Sequence, residues 1–210
     1  MARQYILMGD IIRSSEYEAR QLRREFLRLI ASCNKTMKEG ILSPYTVTLG
    51  DEFQGVASSL HTAIEAIFYI EETALRAGLA FKIRYVTVHG QIDTPVNRLK
   101  AHNMLGQGLT KARKMLMDKG RGERRFRFAP VDNYLMNQLN RLFVVVDGLT
   151  DRWDVADAPL ILDMLHDTNN EEVGLKYGKN RSQIWKRRKH LLIEEYRALK
   201  ETIVQVARQK

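Results

Sequence analysis

The sequence predicts an α+β fold: a mixed or antiparallel sheet with helices on one face, followed by a small all-α domain. Three observations carry this. Of the 210 residues, 44% are hydrophobic and 28% charged, the balance of a globular chain rather than a disordered one. The hydrophobic periodicity alternates in the order β-α-β-β-α-β-α-β-α. Two helices that flank a hairpin do not suit a doubly wound parallel sheet, where a helix must separate every pair of strands. Beyond Leu160 the pattern changes to short helices. We divide the chain into residues 1–147, a polar linker at 148–158 with three aspartates, and residues 159–210.

Each element has its own signal. Tyr5 to Met8 is a short apolar run before Gly9 and Asp10, a buried first strand. Ser15 and Glu18 form a capping box, after which Leu22, Phe26, Leu29, Ile30, Cys33 and Met37 recur at helical spacing until Gly40. Tyr45 to Leu49 and Phe53 to Ala57 read as strands joined at Gly50 and Asp51, with a type II′ turn expected there. Leu60, Ile64, Ile67, Phe68 and Leu75 mark a second helix ending at Gly78, and Phe81 to Val88 is a fourth strand. Gln91 to Met104 reads as a loop, Leu105 to Met117 as a helix and Arg124 to Ala129 as a basic last strand. A helix carrying Leu135, Leu139, Leu142, Phe143 and Val146 closes this part.

Composition narrows the function. No apolar stretch approaches the roughly 20 residues of a membrane span, and no signal-peptide core opens the chain, so a cytoplasmic protein without membrane insertion is expected. Cys33 is the sole cysteine, which rules out an internal disulfide and a multi-cysteine zinc site. His61, His89, His102, His166 and His190 show no metal-ligand spacing. The net charge of +9 points to polyanions, nucleic acid first and phosphorylated small molecules second.

Two aspartates stand at strand ends, Asp10 after the first strand and Asp51 at the hairpin tip. If those strands are neighbours, both carboxylates can converge on Mg²⁺ or Mn²⁺, an arrangement that recurs in phosphoryl and nucleotidyl transfer. The alternative is that Asp10 begins a turn and Asp51 is simply a hairpin residue. The same residues resemble a known domain. The Asp10-Ile11-Ile12 strand exit, the hairpin from Leu49 to Phe53 and the strand from Lys82 to Gly90 are similar to the ferredoxin-like palm of class III nucleotidyl cyclases and GGDEF proteins. More closely, Gly9 to Ser15 together with Thr48 to Gly55 resembles the bacterial SatD family over most of the chain. The resemblance implies a metal site at Asp10, Ile11 and Asp51, and a nucleotide or cyclic-nucleotide pocket at Gly50, Lys111, Arg113 and Lys114. It also has a gap. Cyclases carry a Gly-x-x-x-Asn-x-x-x-Arg pattern, and counting from Gly106 this chain has Thr110 and Lys114 there, with Arg113 adjacent. A hydroxyl and an ammonium do not replace an oriented amide and a forked guanidinium, so we expect a pocket without cyclase turnover. Lys119, Arg121, Arg124, Arg125 and Arg127 extend the basic residues past this helix; in the palm reading they flank the phosphate side, and the alternative for each is a place on a solvated basic face.

The C-terminal residues resemble the helix-turn-helix of bacterial transcription regulators. Gly174 is the small residue of the first helix, Gly178 the turn glycine, and Asn180 caps the second helix. Seven basic residues and no acidic one lie between Lys176 and Lys189. Lys179, Asn180, Arg181, Ser182, Gln183, Lys186, Arg187 and Lys189 are the expected contacts to double-stranded DNA, with Arg181 and Gln183 reading bases. Lys179 departs from the motif, whose turn position is usually apolar. A last helix with Leu192, Tyr196, Leu199, Ile203 and Val206 is expected to form a homodimer seam. Together these features predict a transcriptional regulator that senses a nucleotide or metal. The rival is a divergent nucleotidyl cyclase or nucleotidyltransferase using Asp10 and Asp51, which the missing asparagine disfavours.

Overall fold

A computed structural model describes residues 3–118, 124–130 and 133–208. In chain order the elements are β1 (Arg3–Ile11), α1 (Ala19–Thr36), β2 (Ile41–Val47), β3 (Glu52–Ala57), α2 (Leu60–Arg76), β4 (Ile83–Gln91), α3 (Gln107–Met117), β5 (Phe126–Ala129), α4 (Tyr134–Thr150), α5 (Ala158–His166), α6 (Asn170–Tyr177), α7 (Arg181–His190) and α8 (Ile193–Arg208). The five strands form one mixed sheet in the order β2-β3-β1-β4-β5. Only β4 and β5 run parallel, because α3 carries the chain back between them. None of the described helices is long and apolar enough to cross a membrane.

The expectation of helices on one face is corrected. Strand β1 is buried on both sides, and its alternation feeds two separate cores. Leu7 and Ile11 join Phe53, Tyr85, Phe126 and Phe128 beneath α1, α2 and α4. Ile6 and Met8 join Val56, Val86 and Val88 on the opposite face, beneath Leu109, Ala112 and Leu116 of α3. Helix α3 approaches that face closely at a pair of glycines: a Cβ on Gly90 would stand 2.5 Å from the Gly108 Cα. The periodicity of α3 marks an apolar stripe but carries no information about which face of the sheet it covers.

Two local expectations also change. The N-cap of α1 is Glu18 rather than Ser15, its carboxylate accepting from the Arg20 and Gln21 backbone N–H groups at 2.9 and 2.6 Å. The hairpin is closed by the Thr48 N–H donating to the Glu52 carbonyl at 2.8 Å, which leaves Leu49 to Asp51 as a three-residue loop in place of the two-residue turn. Cys33 lies fully buried on α1 as its spacing indicates, and burial pushes its thiol up to about 12.

Helix α8 packs back onto the sheet region. Tyr196 and Ile203 of α8 belong to the same core as Phe68 of α2 and Phe143 of α4. The Tyr196 ring meets Phe68 edge-on with centroids 6.3 Å apart, and Trp153 packs on its other side at 4.7 Å. Lys200 donates to Glu72 at 2.5 Å and the Tyr196 hydroxyl donates to the same carboxylate at 3.2 Å. The face expected as a dimer seam is therefore consumed within the chain. Its physical reason is simple: an amphipathic stripe requires an apolar partner, and α2 and α4 supply one.

Candidate functional site

Asp10 lies inside β1 rather than beyond it, in register with Glu52 on β3 and Arg84 on β4. All three therefore point to the α3 side of the sheet. Asp10 is 5% exposed and accepts from the Arg84 guanidinium at 3.3 and 3.5 Å. Glu52, likewise buried, accepts from Arg113 of α3. Asp51 stands beside them in the hairpin loop, where its carboxylate accepts the Ser14 hydroxyl at 2.5 Å and its carbonyl accepts the Ile11 N–H at 2.9 Å. Asp10 and Asp51 thus occupy neighbouring strand ends, Asp10 meeting Arg84 and Asp51 meeting Ser14. Among the described residues no three His, Cys, Asp or Glu side chains are grouped so that they could hold a metal ion. Each carboxylate already has a partner, a guanidinium on Asp10, a second on Glu52 and a hydroxyl on Asp51, so Mg²⁺ or Mn²⁺ at Asp10, Ile11 and Asp51 would have to compete with them.

The expected phosphate residues are dispersed. Of Lys111, Arg113 and Lys114, only Arg113 turns to the carboxylates; both lysines are exposed, and Gly50 is half-buried at the hairpin tip. Arg125 is buried on the opposite side of the sheet, donating to Asp147 at 2.7 Å and to Glu71 at 2.8 Å. Burial alone would lower its pKa, but the two carboxylates outweigh that and hold it above the ordinary value. Arg127 donates to the Met115 carbonyl and, at 3.2 Å, to the Asp118 carbonyl, closing the C-terminal end of α3. Arg124 donates to the Asn140 carbonyl at 3.3 Å. Lys119 and Arg121 lie outside the described residues. A run of arginines in sequence was expected to make a basic flank, yet each of the described ones is tied to a structural acceptor.

The C-terminal helix pair has the expected local geometry. The Gly178 backbone is left-handed at φ 61°, and the Lys179 N–H donates back to the Gly174 carbonyl at 2.9 Å. A Cβ on Gly174 would stand 2.3 Å from the Lys179 carbonyl oxygen, so the tight turn requires glycine there. Asn180 and Gln183 form a reciprocal capping box at 2.9 Å in both directions. Val173 and Ile184 are fully buried between the helices, in a core with Leu160, Ile161, Met164, Leu191 and Ile193. Tyr177 donates to Asp163 at 3.0 Å, and burial together with that carboxylate pushes its phenol up to about 12.

One buried cation sets the pose of α7. Arg188, 4% exposed, donates to Asn170 at 2.9 Å, to the Met164 carbonyl at 2.5 Å, to the Asp167 carbonyl at 2.7 Å and to Glu194 at 3.2 Å. It joins α5, α6 and α8 to α7. Ile184 and Arg188 face inward one turn apart, which leaves Arg181, Ser182, Trp185, Lys186 and Lys189 together on the outer face. Lys179 is exposed beside them, consistent with its departure from the apolar turn position. Arg187 is instead half-buried and donates to Asp157. Trp185, 52% exposed, was not among the expected contacts. Its signal was legible, since a residue directly after a buried one and four after Arg181 falls on the outer stripe.

Among solved structures, the chain is similar to one described as a bacterial light-regulated adenylyl cyclase, with 16% identity, a TM-score of 0.43 and coverage of 60% of this chain and 75% of that one. No curated protein matches the sequence. The family model for SatD matches residues 5–196, nearly the whole described chain, and this protein accordingly belongs to the SatD family.

Proposed function

We propose that this protein is a DNA-binding regulator that docks the outer face of α7 on double-stranded DNA. The observation that carries the reading is the exposed stripe of Arg181, Ser182, Trp185, Lys186 and Lys189, held on a helix whose turn, cap and buried Arg188 fix its orientation. No acidic residue interrupts α7. A helix presented in this way places short polar and basic side chains at its N-terminal end for base edges and lysines around them for phosphates. Gln183 keeps its carbonyl oxygen in the capping box, so Arg181 and Ser182 are the better base readers. The nucleotide-sensing role expected of the sheet region has less support, because only Arg113 of the expected phosphate residues faces the carboxylates.

The test uses the full chain and fluorescence anisotropy on genomic fragments that include its own promoter. Binding is expected to weaken steeply with salt, with a slope of about −0.9 in log affinity per phosphate neutralised. Lys186→Ala and Lys189→Ala are expected to reduce the slope by about one unit each and to act alike on all sequences. Arg181→Ala is expected to lose roughly 1–3 kcal/mol of preference for the best fragment over random DNA. DNA binding that none of these substitutions changes would refute the assignment to α7.

A further inference from the structure

A cavity lies away from both sites above. It has a volume of about 520 Å³ and opens between α1, α2, α5 and α8. That size is ordinary for a small-molecule pocket. Phe68 and Tyr196 form its floor and are buried, while Met37, Leu165 and Val204 line its walls. The polar groups at the rim are unequal in their partners. Lys200 is engaged by Glu72 at 2.5 Å and sits over the Phe68 ring at 5.5 Å, and Arg197 pairs with Glu194 at 3.5 Å. Among the described residues Glu65 meets only the His61 imidazole, at 3.2 Å, and Glu201 has no ion-pair partner. An anionic ligand would share Lys200 or Arg197 with the carboxylates already paired to them and would face Glu65 and Glu201 as well. A cationic one meets Glu201 and Glu65 without displacing any lysine or arginine.

We infer that this cavity binds a small molecule with an apolar, aromatic-sized body and a protonated amine: the body against Phe68, Tyr196 and Val204, the amine toward Glu201 and Glu65. The inference is independent of DNA binding, since it uses none of the α7 residues.

Monodansylcadaverine, a fluorophore carrying a primary amine, is the probe, and dansyl-6-aminohexanoic acid is its anionic counterpart. Titrated into the full chain, the amine is expected to gain fluorescence and saturate with a Kd below about 100 μM, and the carboxylate to bind at least about tenfold more weakly. Glu201→Gln is expected to weaken the amine about two- to fivefold, the scale of one exposed ion pair. Val204→Trp and Met37→Trp fill the cavity from opposite walls, and whichever retains the parent circular dichroism spectrum is expected to lose at least about tenfold in affinity. No saturable binding of the amine, equal or tighter binding of the carboxylate, or amine binding that a folded filling variant leaves unchanged would each overturn the inference.

Discussion

Arg188 illustrates how a charged residue in a basic run differs from its neighbours. Arg181, Lys186 and Lys189 end in solvent, whereas the buried Arg188 guanidinium donates to two backbone carbonyls and two side chains. Truncating it leaves the Met164 and Asp167 carbonyls without that donor, and each buried acceptor left unsatisfied costs on the order of 1–3 kcal/mol. Arg188→Met is therefore expected to destabilise the chain by about 3 kcal/mol, and Lys186→Ala by less than about 0.5 kcal/mol. Urea unfolding of the two variants checks this, and equal midpoints would show that Arg188 is as solvated as its neighbours. Composition cannot make this distinction. It becomes legible only from periodicity, where position 188 falls four residues after the buried Ile184 and on the same face.

At the scale of elements, the strands and helices were legible where an apolar stripe was long and bounded. Helices α1, α2 and α4 and strands β1, β3 and β4 lie where the pattern put them, within a few residues. Partnership was not legible. The alternation of β4 places Arg84 on the same face as Val86 and Val88, but only the register of the sheet sets it opposite Asp10. Two aspartates at neighbouring strand ends suggested a shared cation, and the β4 and α3 arginines change what that cluster can do. A metal ion entering there would have to displace Arg84 from Asp10, giving up a largely buried ion pair. Calorimetric titration with Mn²⁺, in the presence and absence of ATP, is accordingly expected to show no site tighter than about 1 mM that depends on Asp51. A tight Mn²⁺ site that Asp51→Asn abolishes would show that the cluster rearranges around a metal and would restore the nucleotidyl-transfer reading.

At the scale of the whole molecule, the change of pattern near Leu160 reads as a domain boundary, yet the structure carries one core across it. The short helices α5 to α7 do have their own apolar cluster, which is why the pattern breaks there. Helix α8 then returns to the sheet region and covers Phe68 with Tyr196 and Ile203. Tyr196 and Ile203 are 1% and 0% exposed, and burying a large apolar side chain contributes roughly 1.5–3 kcal/mol. Their loss alone amounts to about 3–6 kcal/mol, a large part of the 5–15 kcal/mol by which a typical domain is stable. A chain truncated after Asp157 is therefore expected to unfold at least about 10 °C below the full chain, or to associate through the uncovered face of α2 and α4. The full chain is expected to lose its near-ultraviolet dichroism, dominated by Trp153 and the sheet-region aromatics, in the same transition as its helical signal. Thermal scans and size-exclusion chromatography on the two lengths decide the matter. A truncated form that is monomeric and as stable as the full chain would mean that α8 rests on the sheet region without stabilising it, and that the two regions fold independently after all.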